Sequence, residues 1–532
     1  MDSRLVEIKF PLGGESRSER YTQNPQAQVY FSPRAINVRG RGALERRVRG
    51  GTRPGLSKYL DTGFGTTITG IAKVTYLNAS DVLSNNLVVI SGGTLYVCAG
   101  ATVTTSKSYL TDDSGNKIIT DDGKYMIFGS TVAVSNSLIT SGAFQMAEGE
   151  GKLYIADSSL LEYNPRTNVV DTIPTAPTSQ PLICIYQRRV VLTGSNHIFY
   201  MSRQTDPTDW DLNDDMNDVG RALIGHVGTN NAIGEKINGM LPWDDKAILF
   251  GTNRSLTVIY GNPADSGSRM ETVSENVGVL GPNCMCVTPE GVVFFLAREG
   301  LYTWQMGSKA EPESLSRNRV PEELLDIDLA TTSVMMIYDH RSKGVHLFKT
   351  PLAATAGKHW FIDIENKGMW EVVFASNTHQ PLAVASLAMT GYSDVILGCK
   401  DGYLRRFDSA VTGDDSTDFK SDILIGPLHV SGALSFDGQI QEMVADFADN
   451  TGSITWRLVT GNTAEEATDK AETDLDAGTT TNVEASGTWS ENHNIPDYPR
   501  ARGAWAILWI TSTKKWSYEA ITMKMLRHGR IR

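Results

Sequence analysis

The chain has 532 residues, more than one ordinary core holds at ~100 to 200 residues per domain, so two or three units or a repeat fold are expected. Hydrophobic residues at 40%, charged residues at 21% and 49 glycines exclude a disordered or collagen-like chain and describe a turn-rich one that folds. A formal net charge of −12 argues against a protein that coats DNA, because nonspecific duplex binding rests on many lysine and arginine contacts to phosphate.

The opening MDSRLVEIKF alternates polar and apolar residues and lacks the basic-then-apolar pattern of a signal peptide, so use without export is expected. Residues 39 to 55, RGRGALERRVRGGTRPG, then set Arg39, Arg41, Arg46, Arg47, Arg49 and Arg53 against the single acid Glu45. Nucleic acid, a membrane surface, an acidic partner and acids of the same fold are all candidates for what this island neutralises. No apolar run approaches the ~20 residues of a membrane helix, so membrane insertion is not expected.

From about residue 56 to 410 one phrase recurs: an apolar strand, a turn bearing Gly, Asn, Asp or Ser, and a second strand rich in aromatic and β-branched residues. It is read in NNLVVISGGTLYVCAG (85–100), KYMIFGSTVAVSN (124–136), EGKLYIADSSLLEYNP (150–165) and RRVVLTGSNHIFYMS (188–202). It returns in DKAILFGTNRSLTVIYG (245–261), EGVVFFLAREGLYTW (290–304), KGVHLFKT (343–350) and SDVILGCKDGYLRRFD (393–408). Each reads as a hairpin. Their spacing of roughly 30 to 50 residues brackets the ~40 to 50 of a four-stranded propeller blade, so residues 55–410 are predicted to form a β-propeller of roughly six to eight blades. Stacked β-sandwiches are the competing architecture.

Within that region DWDLNDDMNDVG (209–220) spaces Asp211, Asn213, Asp215 and Asn217 like the oxygen ligands of a calcium loop, but Met216 takes the position of the turn glycine and the closing glutamate is missing. The loop is a weak metal candidate beside the reading of a solvated acidic loop. SRQTDPTDW (202–210) fails the sialidase Asp-box, because Asp206 lies four residues after Ser202 and no glycine separates them. No phosphate loop, zinc-protease helix, nucleophile elbow or dinucleotide fingerprint occurs. Cys98, Cys184, Cys284, Cys286 and Cys399 lack redox or zinc spacing and read as buried thiols. Neither catalysis nor a cofactor is expected.

Residues 411–420 read as a polar, acidic linker, and residues 421–532 as a separate antiparallel, sandwich-like β base carrying Trp489, Trp505, Trp509 and Trp516. A charged stretch, TAEEATDKAETDLDAG (463–478), reads as a short exposed helix. Residues 1–54 lack the blade phrase and are expected to pack with the base, bringing the arginine island and the closing RHGRIR onto one domain.

Several phrases together resemble the propeller-bearing tail nozzle or hub proteins of short-tailed bacteriophages. They are FSPRAINVRGRGALERRVRGGTRPGL (31–56), RRVVLTGSNHIFYMSRQTDPTDW (188–210), LPWDDKAILFGTNRSLTVIYG (241–261), VGVLGPNCMCVTPEGVVFFLAREGLYTW (277–304), GCKDGYLRRFD (398–408) and GAWAILWITSTKKWSYEAITMKMLRHGRIR (503–532). The resemblance implies a structural virion protein of the tail, made in the host bacterial cytoplasm. It implies a ring, typically a hexamer, below the portal and its adaptor, which continues the DNA ejection channel, helps retain the genome and carries fibres or a tip plug. Contact with genomic DNA in the channel would be transient and nonspecific. On this reading the six arginines meet acidic surface in the ring or at the adaptor, with DNA contact second; pairing with acids of their own subunit is the plain alternative. A carbohydrate-active tail enzyme and a cellular propeller scaffold are the other functional classes, the latter without the Gly-His and Trp-Asp punctuation of WD40 blades.

Overall fold

The computed structural model describes the chain except residues 1–2, 23, 25–26, 28, 45–48, 62, 100–130, 136–143, 213–216, 229–233, 390–391, 434–435, 491–494 and 531–532. The protein is all-β apart from one α-helix and one 3-10 turn among these residues. No helix among them is long and apolar enough to cross a membrane.

In six of the seven blades the recurring phrase forms the two middle strands; in blade six KGVHLFKT is not a hairpin but the single strand Gly344–Pro351, whose partner, His359–Asp363, lies beyond the phrase. Elsewhere the two strands pair antiparallel across a tight turn, as in Leu83–Ser91 with Thr94–Ala99, where Gly92 and Gly93 both take positive φ (57° and 77°). That is the backbone a two-residue hairpin needs to match strand twist. A strand before and a strand after complete four-stranded sheets over residues 68–135, 145–172, 182–226, 239–274, 285–314 and 332–372. A seventh sheet takes three strands from residues 381–408 and its outer strand, Gly55–Lys58, from the N-terminal side. First strands of successive blades touch, and Pro381–Met389 of blade seven touches both Thr332–Asp339 of blade six and Ile68–Leu77 of blade one. The described residues therefore form a closed ring of seven blades.

Eight phrases meet seven blades because the described part of KYMIFGSTVAVSN belongs to blade one. Its second half, Thr131–Ser135, is the outer strand of blade one, paired with Thr94–Ala99, and residues 124–130 lie outside the described chain.

The base is a sandwich. One sheet joins Ser3–Ile8, Tyr518–Arg530, Phe436–Phe447 and Arg502–Gly503. The other joins Ala35–Ile36, Ser421–His429, Trp505–Ser512, Ile454–Gly461 and Val483–Trp489. Strand alternation sends Val6, Ile8, Met443, Leu508, Ile510 and Met523 into a shared core with Trp489 and Trp516. Trp509 is buried on the other face of its sheet, and Trp505 is half-buried.

Two expectations change. The helix, Ala464–Ala477, is not simply exposed: Ala467, Ala471 and Leu475 pack on Leu424, Val459, Ile507 and Trp509. That outer sheet face is apolar and needs cover, and the small alanines let the helix approach it. Nor is 411–420 a solvated linker, since Asp414 and Phe419 are buried.

Propeller and base are also sewn together. Ile36 pairs parallel with Glu371 of blade six, and Ala35 pairs with Ile423 of the base, so one nine-stranded sheet runs from the propeller into the sandwich.

Candidate functional site

The arginine island supplies the joint between the two units. Val38–Arg39 pairs with Gly51–Thr52 as a short hairpin, and Gly51 also bridges to Ser517 of the base. The same stretch continues into the closing strand of blade seven. The hairpin is therefore held between the base on one side and blades six and seven on the other, and its side chains are sorted by that placement.

Arg53 is fully buried. Its Nη1 and Nη2 donate to the two carboxylate oxygens of Asp414 at 2.9 and 2.6 Å, its Nε donates to Asn37 Oδ1 at 2.8 Å, and the carbonyls of Pro54 and Val373 accept the remainder. Its guanidinium also lies 3.8 Å from the centre of the Phe419 ring. Arg39, 2% exposed, differs: none of its three guanidinium nitrogens has a hydrogen-bond partner in the protein. It packs over Phe361 at 4.0 Å and Phe407 at 5.1 Å, a cation–π contact with two rings. Burial pulls its pKa down to about 9, with Asp339 opposing, which leaves a cation at pH 7.

Arg41 and Arg49 face outward. Arg41 pairs with Glu365 at 3.2 Å, and the exposed Arg49 pairs with Glu519. Arg46 and Arg47 lie outside the described residues. Arg39 and Arg53 are thus withdrawn from any surface that touches an adaptor, a second subunit or DNA, because the fold uses them to join its own parts. Arg41 and Arg49 meet acids of the same chain.

Beneath Arg39 lies a patch of aromatic rings and histidines. His346 stacks on Phe407 (4.6 Å, 11°) and Phe348 (5.4 Å, 3°), and His359 packs on Phe374 (4.8 Å). Burial pulls His346 down to about 4 and His359 to about 3, so both are neutral at pH 7. His346 Nε2 lies 3.4 Å from Asp339 Oδ2 and donates to it as the neutral imidazole; neither nitrogen of His359 has a partner. Nearby, Glu15 and Glu371 share Arg34 at 3.2 and 2.6 Å, and burial together with Glu15 raises Glu371 to about 7.

These partners were not singled out from sequence. A signal existed: HLF and HWF place His346 with Phe348 and His359 with Phe361 two residues apart, hence on one strand face. Asp414 was hidden in what read as a linker.

A larger cavity, of about 500 Å³, follows the propeller axis and takes residues from the first strands of all seven blades, among them Ile71, Met146, Ile185, Leu241, Met285, Met336 and Val384. The axis is bridged: Gln145 of blade two donates to Pro282 O (3.2 Å) and Asn283 Oδ1 (3.0 Å) beside blade five.

Of the acidic loop, Asn213 and Asp215 lie outside the described residues, and the Asp211 amide donates to Asp209 Oδ1 at 3.0 Å in a local turn. Among the described residues no cluster of three or more His, Cys, Asp or Glu side chains is placed to hold a metal ion. All five cysteines are buried free thiols, and burial raises each of their pKa values.

No protein-family model matches the sequence, and no curated protein matches it. Solved structures that it is similar to include the extracellular domain of a hybrid two component system from B. thetaiotaomicron, at 12% identity and a TM-score of 0.41 over 75% of this chain and 45% of that one. The chain thus spans less than half of that protein's length. A chain of the mitotic checkpoint complex (12% identity, TM-score 0.38) and the WD40 propeller domain of Doa1 (10%, 0.37) each cover 66% of this chain and are themselves covered to 97%. The seven-bladed architecture itself rests on the strand pairing.

Proposed function

We propose that this chain is a structural subunit of the tail nozzle or hub of a short-tailed bacteriophage, forming a ring, typically of six copies, below the portal adaptor. The observation that carries the reading is the joint. Residues 35–58 bridge the blade-six sheet to the base, insert a hairpin between them and close blade seven, which makes propeller and base one body. A subunit that holds back packaged DNA must pass force across its length without flexing between domains, and two units tied only by a linker would hinge.

In such a ring the DNA path lies between subunits. The axis of a single propeller is lined by methionine and aliphatic side chains together with Thr69, Gln145, Glu148 and Asn283, and is bridged by Gln145; among the described residues no lysine or arginine lines it. Ring contacts of this kind are heterologous, joining two different patches of one subunit. Fibres or a tip plug would attach to the same ring.

The test is immunogold electron microscopy of virus particles from the source lysate with an antibody to the purified chain. Label at the tail vertex is expected. Unlabelled intact particles, with the antigen abundant in the soluble fraction, overturn the reading and turn attention to polysaccharide degradation and peptide binding.

A further inference from the structure

The cavity above Arg39 lies at the meeting point of the island hairpin, blade six and blade seven. It holds about 50 Å³, and its wall includes Arg39, Arg41, Arg341, Ser342, Phe361 and Phe407. A water molecule needs roughly 10–15 Å³ of such space, so the cavity has room for three or four heavy atoms.

Asp339 and Asp363 attract Arg39 through space, but neither hydrogen-bonds to it. The two lining acids already have partners. Asp339 accepts from His346 at 3.4 Å and from the backbone amides of Arg341 (2.8 Å) and Ser342 (3.2 Å). Asp394 is held by Arg341 at 3.0 Å and Arg406 at 3.1 Å. Asp363, just outside the cavity wall, accepts from the Glu365 amide at 2.9 Å. Arg53, the other buried arginine of the hairpin, has its own carboxylate in Asp414. Arg39 has a comparable burial and none.

We propose that this cavity binds a small carboxylate, of the size of formate or acetate, whose two oxygens take up the donor fork of Arg39. A buried cation without a hydrogen-bonding partner is costly, and a planar carboxylate matches a guanidinium fork in a way that a spherical ion does not. Phe361, Phe407, Val395 and Pro54 complete the wall with carbon, which suits the methyl group of acetate. The bound anion fastens the island hairpin to blades six and seven, and so strengthens the joint. The site does not depend on the nozzle reading: it follows from Arg39 and its cavity alone.

Thermal melting of the full chain at pH 7 and fixed ionic strength, with sodium acetate replacing sodium fluoride, tests this. Acetate raises the melting temperature saturably in the native chain and not in Arg39→Met, which keeps a long side chain over the two rings without the charge. An equal rise in both proteins, or no rise in the native chain, overturns the site. Should Arg39→Met fail to fold, the native chain alone decides by saturation-transfer difference NMR of the acetate methyl. A signal that formate competes away supports the site. No signal, or one indifferent to formate, means that water alone satisfies Arg39.

Discussion

Arg53 and Asp414 meet as a two-pronged ion pair with both side chains fully sealed from solvent, and they join the island hairpin to the segment that leads from propeller to base. Removing one partner leaves the other charged and buried, which typically costs about 3–5 kcal/mol. Asp414→Ala is therefore expected to lower stability by that order in chemical denaturation. Arg53→Met combined with Asp414→Leu recovers part of the loss. A double variant no better than the single one would show that the charges themselves, and not merely their balance, hold the joint.

Blade seven is closed by Gly55–Lys58 against Leu404–Asp408, so the propeller depends on residues that precede it. Gly55 sits so close to the next segment that an added Cβ would lie 2.2 Å from the Gly413 carbonyl oxygen. Gly55→Ala is expected to cost about 1–3 kcal/mol as an overpacking change, and Leu56→Ala, at a fully buried position, about 2–5 kcal/mol. Hydrogen exchange checks both: the amides of Leu404–Asp408 lose protection first. Loss spread evenly over all blades would mean that the ring opens elsewhere.

Most blades were legible because the middle hairpin carries a turn residue between two apolar runs within a short window; blade six was not, since Gly344–Pro351 and His359–Asp363 are joined by a longer loop. The axial cavity and the joint were not. Arg39 and Arg53 are both arginines in a basic stretch, and nothing local says that Phe361, Phe407 and Asp414, more than three hundred residues away, would enclose them. Basic clusters read as surface by default, since arginine is seldom fully buried. The folded chain instead uses Arg39 and Arg53 as internal fasteners, because the short hairpin is enclosed on both faces: Val38, Arg39, Gly51 and Thr52 are all buried between the base and blades six and seven.

Arg46 and Arg47 separate the functional reading from the structural one. Arg49 is a poor choice for reversal because it pairs with Glu519, so its loss would disturb the base. If the island contacts acidic surface on a neighbour or adaptor, Arg46→Glu with Arg47→Glu yields particles without assembled tails while the isolated chain keeps its native melting temperature. Normal infectious particles from that double variant would remove the island from assembly.

His359 and His346 both add to the acid limb of the stability profile, and Glu371 opposes them. The unfolded chain binds the two histidine protons near pH 6.5, about the unperturbed value, whereas the folded chain resists until about 4 for His346 and about 3 for His359. Folded pKa values below unfolded ones mean that stability is fully present above pH 6.5 and falls on acidification, by up to about 1.4 kcal/mol per pH unit for each histidine. Glu371 acts in the opposite sense. Raised above the ordinary glutamate value by burial and by Glu15, it takes its proton in the folded chain before the unfolded chain does, so its contribution grows as pH falls through that range. Leucine is close to histidine in volume, and neither ring nitrogen of His359 has a partner to lose. His359→Leu is therefore expected to be at least as stable as the native chain at pH 7, and its acid limb to be shallower by one proton, about 1.4 kcal/mol per pH unit. Urea unfolding at intervals from pH 7 to 4.5 measures both slopes. Parallel limbs in the two proteins would mean that His359 takes up its proton without unfolding, and that the aromatic cluster around it admits water.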